Sequence, residues 1–169
     1  MTHVEARRTM SGLEFFRKML AGEMPPPQML DLLGIRLAEV EAGRVVFTAT
    51  CEERYYNGTG VAHGGFAATL LDTALGCAIN SAMPAGRRFT TLELKVNLTR
   101  PITKEAGLLR CEANVVHVYR VSPEDAPLIM EEHAGAKREK LAGRALMSFG
   151  AFPLASFGGA ALARNTVSP

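Results

Sequence analysis

The stretch from Gly58 to Asn80, GTGVAHGGFAATLLDTALGCAIN, decides the fold. It contains one carboxylate, Asp72, in an otherwise uncharged and largely apolar run. Such a run predicts a helix that is apolar nearly all round and must be covered on most of its faces. Its length, taken over Val61–Met83, would also suit a bilayer span. A carboxylate at the centre of a span costs roughly 2.5–3.5 kcal/mol even on the lenient insertion scale. His63, the glycines and Asn80 weaken that reading further, and amphipathic strands surround the stretch. A membrane span is rejected.

Outward from the helix, the period changes from helical to alternating. Ile35–Glu41 and Arg44–Cys51 are β-rich runs separated by Ala42-Gly43, a tight hairpin signal. After the turn at Ala85-Gly86, Thr90–Thr99 alternates. Leu92, Leu94, Val96 and Leu98 face one way; Glu93, Lys95, Asn97 and Thr99 face the other. Arg100-Pro101 ends that strand. Gly107–Tyr119 alternates again, and Leu128–Met130 and Leu141–Phe152 are further strand candidates. Glu131–Lys140 is charged and reads as an exposed loop. Ahead of the hairpin, Gly12–Ala21 has Leu13, Phe16, Met19 and Leu20 at helical spacing, stopped by Gly22 and the Pro25–Pro27 run. Gln28–Leu33 reads as one further helical turn. The order is hairpin, long helix, more strands. An α+β fold satisfies it, with one curved antiparallel sheet wrapped around a long central helix.

The 169 residues suit one domain, with 47% apolar and 21% charged residues. A net charge of +2, with acids and bases interleaved, offers no basic stripe for nucleic acid. Cys51, Cys77 and Cys111 are odd in number and widely spaced, which argues against a disulfide framework or zinc site and for reduced core residues in a cytoplasmic protein. His3, His63, His117 and His133 are scattered, so no metal-ligand cluster is expected. Residues 1–29 read as a helical extension, 30–153 as the main domain, and 154–169 as a small-residue tail expected to fray.

Asn57-x5-His63-Gly64-Gly65-x6-Asp72, followed by Thr91-x-Glu93-x-Lys95-x-Asn97-x-x-Arg100-Pro101, resembles the hotdog-fold acyl-CoA thioesterases of the phenylacetate-degradation (PaaI-type) branch. The resemblance covers roughly Leu30 to Phe152. It implies the hotdog fold, an acyl-CoA substrate, no cofactor beyond the substrate's own CoA, and a homodimer, commonly doubled into a tetramer. It also implies a site built across the dimer interface, with Asp72 of one subunit facing Gly64 of the other.

The chemistry of the residues fits thioester hydrolysis. Gly64 and Gly65 would open the central helix and leave its first N–H groups without intrahelical partners. Those donors, at the positive end of the helix dipole, suit a carbonyl oxygen that gains charge during attack. The resemblance assigns that donor to Gly64. Asp72, a little over two turns further on, could act as nucleophile or as general base, and burial would tend to raise its pKa. The alternative for Asp72 is a structural bond to a neighbouring hydroxyl or backbone amide. Asn57 matches a position that holds the substrate carbonyl or the attacking water, although Asn57-Gly58 is also a common turn dipeptide. His63 matches a residue that supports the loop or touches substrate, and Gly65 one that lets substrate approach the backbone. Glu93 falls where the family has a small polar residue near the acyl thioester, or else on a merely solvated sheet face. Arg100 could contact CoA phosphates or simply end a strand.

The chain departs from the pattern after Val118, so CoA head-group contacts do not carry over to 119–140. The N-terminal helix exceeds the minimal core and would cover one end of the groove. Two other functions remain open: a non-catalytic acyl-CoA-binding module, and a hotdog hydratase or dehydratase.

Overall fold

The computed structural model describes residues 3–86, 91, 94–115, 148–151 and 163–168. The chain opens with three helices, α1 (His3–Thr9), α2 (Gly12–Leu20) and α3 (Gln28–Leu32). The hairpin strands β1 (Arg36–Glu41) and β2 (Arg44–Thr50) follow, then the long helix α4 (Gly64–Ser81). The remaining strands are β3 (Lys95–Asn97), β4 (Leu108–Val115), β5 (Ser148–Ala151) and β6 (Ala163–Ser168). They form one six-stranded sheet in the order β1-β2-β4-β6-β5-β3.

Antiparallel pairing runs from β1 through β2 and β4 to β6. By contrast, β5 runs parallel to both β6 and β3. The hairpin closes at Ala42-Gly43, with Glu41 opposite Arg44 and Gly43 at φ +81, which a glycine adopts without strain. The main core lies between sheet and helix. Val45, Phe47 and Ala49 of β2 and Leu109, Cys111 and Ala113 of β4 meet Leu70, Leu71, Ala74, Leu75 and Ala78 of α4. Cys111 donates a weak S–H bond to the Leu70 carbonyl (3.7 Å). On the outer face, Arg44 and Arg110 alternate with Glu39 and Glu112 in a closed ring of ion pairs. Val46, opposite both glutamates in the strand register, is fully buried.

The N-terminal helices bring a second apolar cluster of Ala6, Phe15, Phe16 and Met24, against which Leu37, Val40 and Cys77 pack. Helix α2 starts with a reciprocal Ser11–Glu14 capping box. It seats on the last turn of α4, where Gly12 N–H donates to the Met83 carbonyl (3.0 Å). A Cβ on Gly12 would lie 1.6 Å from the Asn80 carbonyl oxygen, so only glycine permits this approach. The extension therefore packs at the end of α4 away from Gly64, roughly 25 Å along the helix. Helix α1 lies within the helical extension read over residues 1–29, although the periodic signal in the sequence begins only at Gly12.

Three expectations need adjustment. The strand expected over Thr90–Thr99 is, among the described residues, the short β3. The tail expected to fray contains β6, where Ala163–Ser168 pairs with the exposed edge of β4 and satisfies its backbone groups. The α4 helix is not apolar all round. Gly65, Ala68, Thr69, Asp72 and Thr73, at helical i, i+3, i+4, i+7 and i+8 spacing, form one face that is at most half-buried. Leu128–Met130, Glu131–Lys140 and most of Leu141–Phe152 lie outside the described residues. Among the described residues, no helix is long and apolar enough to cross a membrane.

Candidate active site

The loop ahead of α4 is built tightly. Tyr56 and Ala62 bridge across it, Asn57 N–H donates to the Val61 carbonyl (2.8 Å), and Gly60 turns the chain at φ +83. Ala62 N–H donates to the Ile102 carbonyl (2.8 Å), and His63 N–H to that of Tyr55 (2.7 Å). The Tyr55 ring stacks on Phe66 in the first turn of α4, with centroids 4.7 Å apart. Within this frame the Asn57 side-chain oxygen accepts from Thr59 N–H (2.8 Å) and Thr59 Oγ1 (2.7 Å), and more distantly from Val61 N–H (3.5 Å).

His63 is the N-cap of α4. Its Nδ1 accepts from Gly65 N–H at 2.9 Å, which puts the ring proton on Nε2 and consumes the Gly65 donor. A Cβ on Gly65 would meet that Nδ1 at 2.9 Å, so the capping ring itself requires glycine here. The Gly64 N–H, by contrast, has no acceptor among the described residues. A single donor is thus left open at the positive end of an eighteen-residue helix. The neighbour over Gly64 is Leu98, whose Cδ1 would lie 2.8 Å from an added Cβ. Leu98 is 53% exposed, whereas Leu94 and Val96, of the same alternation, pack against the main core.

Asp72 lies on the half-open face of α4 rather than in the enclosed core expected from the sequence. Its Oδ1 accepts from Thr91 Oγ1 at 2.8 Å. Its Oδ2 has no donor among the described residues. Along α4, Asp72 and Gly64 are separated by about 12 Å of axial rise, too far for both to touch one carbonyl group from the same chain.

Sequence reasoning gave Thr91 no role, since alternation groups it with the outward-facing Glu93, Lys95 and Asn97. Period two holds only inside a strand, and Thr91 precedes β3, so its hydroxyl can turn to α4. Thr69 and Thr73 were also passed over, although their helical spacing from Gly65 and Asp72 marked the half-open face. Thr69 Oγ1 donates back to the Gly65 carbonyl (2.8 Å). Arg100 is exposed at the bend after β3, on the segment whose Ile102 carbonyl anchors Ala62. Glu93 lies outside the described residues.

Burial disfavours the thiolate of two of the cysteines. Burial pushes the Cys77 thiol up to about 12, and burial also raises Cys51. Among the described residues, no group of three or more His, Cys, Asp or Glu side chains could hold a metal.

A long helix packed against a mostly antiparallel sheet is the architecture of the hotdog class. Residues 59–122 match the model of the thioesterase superfamily. An inferred esterase of Halobacterium salinarum is 36% identical over 95 residues, covering 53% of this chain and 61% of that one. The chain therefore spans about three fifths of the length of this curated relative. Among solved structures, a phenylacetic acid degradation-related protein of Ralstonia eutropha is 28% identical, covering 62% of this chain and 80% of that one, with a TM-score of 0.57. The PaaI protein of the Escherichia coli phenylacetic acid degradation operon is 26% identical, covering 64% and 75%, with a TM-score of 0.53. The likeness to the thioesterase superfamily thus rests on residues 59–122, 64 of the 169 residues.

Proposed function

We propose that the protein is an acyl-CoA thioesterase that converts an aryl- or medium-chain acyl-CoA and water to the free acid and CoA. The observation that carries this is a carboxylate tethered by one oxygen and open at the other, on a helix whose first N–H lacks an acceptor. The Gly64 N–H binds the thioester carbonyl oxygen and stabilises the charge that builds on it. Asp72, through Oδ2, either takes a proton from the attacking water or attacks the acyl carbon itself. Collapse of the tetrahedral species expels the CoA thiolate; in the nucleophilic route water then hydrolyses the acyl–Asp72 anhydride, which releases the acid and restores the carboxylate. Asn57 lies in the loop that leads into α4, His63 caps the helix, and Gly65 gives the cap its room. Arg100 and Glu93 are assigned to substrate contact.

The 12 Å axial separation within one chain calls for a second subunit. The half-open face of α4, from Gly65 to Thr73, is where that subunit would lie. Asp72 of one copy would then serve Gly64 of the other. A homodimer, further paired into a dimer of dimers, in the cytoplasm follows from this proposal. The reaction requires no metal or redox cofactor.

Thiol release across aryl, short, medium and long acyl-CoAs tests the proposal. Turnover on at least one class is expected. Micromolar binding without thiol release would favour the binding module. Water addition to an enoyl-CoA without release of thiol would favour the hydratase.

A further inference from the structure

The carboxamide of Asn57 has only one possible orientation. The backbone N–H of Thr59, 2.8 Å away, can only donate, so the atom facing it must be the oxygen. The Thr59 hydroxyl, at 2.7 Å, adds a second donor to the same oxygen, and the Val61 N–H at 3.5 Å aims at it more weakly. The Asn57 oxygen is thereby saturated from within the loop. Its NH2 has no acceptor among the described residues, and the side chain is half-buried in the loop that leads into α4.

We infer that Asn57 acts in the proposed thioesterase site solely as a hydrogen-bond donor to a substrate or water oxygen, and that Thr59 is the positioning residue that holds it so. The inference rests on the proposed function and narrows it. An Asn whose oxygen is occupied cannot take a proton from water or orient it by accepting. It can only hold an oxygen lone pair.

Asn57→Asp separates the donor from the loop. An aspartate keeps an oxygen where Thr59 and Val61 donate, so the turn is retained, while the outward NH2 is lost. The expected result is a fall in kcat of about 10²–10³-fold with thermal stability kept. Thr59→Val, which keeps the backbone N–H and removes the hydroxyl, should lower kcat about tenfold with little change in KM, and Thr59→Ser should restore it. Parental kcat in Asn57→Asp, or in Thr59→Val, would overturn the inference.

A substrate-free readout keeps it separable from the function itself. The side-chain amide NMR signals of Asn57 should be one sharp pair in the parent and Thr59→Ser, and shifted or broadened in Thr59→Val. Signals unchanged in Thr59→Val would overturn the positioning role even if the parent hydrolyses acyl-CoA. A parent that releases no thiol would overturn the function and the donor role with it, whatever the NMR shows.

Discussion

Replacing Asp72 by Asn keeps an oxygen for the Thr91 hydroxyl and removes the charge. Folding should therefore persist, and kcat should fall by about 10³-fold. A melting temperature within a few degrees of the parent, measured beside thiol release, shows that chemistry rather than stability was lost. At this scale the sequence was informative about residue types and less so about their surroundings. Asp72 was conspicuous as a lone acid in an apolar run, but its partner Thr91 was hidden by an alternation that stops short of that residue. The functional and the structural readings of Asp72 turn out to be compatible, because Thr91 occupies one oxygen and leaves the other. His63 shows the same economy. Its ring caps Gly65 and leaves Gly64 as the open donor.

Between elements, a close approach lies at the end of α4 remote from the proposed chemistry. Gly12→Ala would force a Cβ to 1.6 Å from a backbone oxygen, which a rotamer change cannot relieve. A loss of about 3 kcal/mol or more is expected in urea unfolding. Gly58→Ala is the control, since nothing lies within 4 Å of a Cβ there and its φ is not positive. Equal stability of the two variants would mean that α2 does not seat on α4 as described. Helix α2, the hairpin and α4 were legible because each combines a clear period with its own stop or turn residues. The tight Gly12 contact was not legible, because it depends on where two elements cross. The half-open stripe on α4 was written in the small and polar residues from Gly65 to Thr73, but the surrounding leucines and alanines masked it. Strand β6 could not be foreseen from a short stretch whose partner, β4, lies about fifty residues earlier.

For the whole molecule, the charged ring on the outer sheet face links stability to pH. The Arg44 and Arg110 guanidiniums hold the Glu112 carboxyl down to about 2, and they lower Glu39 as well. A carboxylate whose folded pKa lies below its ordinary value contributes stability above that value and loses it as pH falls through the folded one. Stability should therefore drop between about pH 4.5 and pH 2, and Glu112→Gln should flatten that drop while costing roughly 1–3 kcal/mol at pH 7. Urea midpoints across this range provide the check.

Assembly bears most directly on the proposed site, since in that proposal Gly64 and Asp72 come from two subunits. Gly64→Pro deletes the donor at a helix position where proline is accepted, and His63 at φ −60, ψ 135 already has the backbone that precedes a proline. Leu98 would have to swing aside, which its exposure allows. The decisive measurement is thiol release by a hybrid of Gly64→Pro and Asp72→Asn subunits, co-expressed with different tags. Each variant alone should be nearly inactive, and an unfractionated equal mixture should recover about a quarter of parental activity, from the one intact site in each hybrid dimer. No recovery, with both variants folded and hybrids formed, would contradict a site shared between subunits.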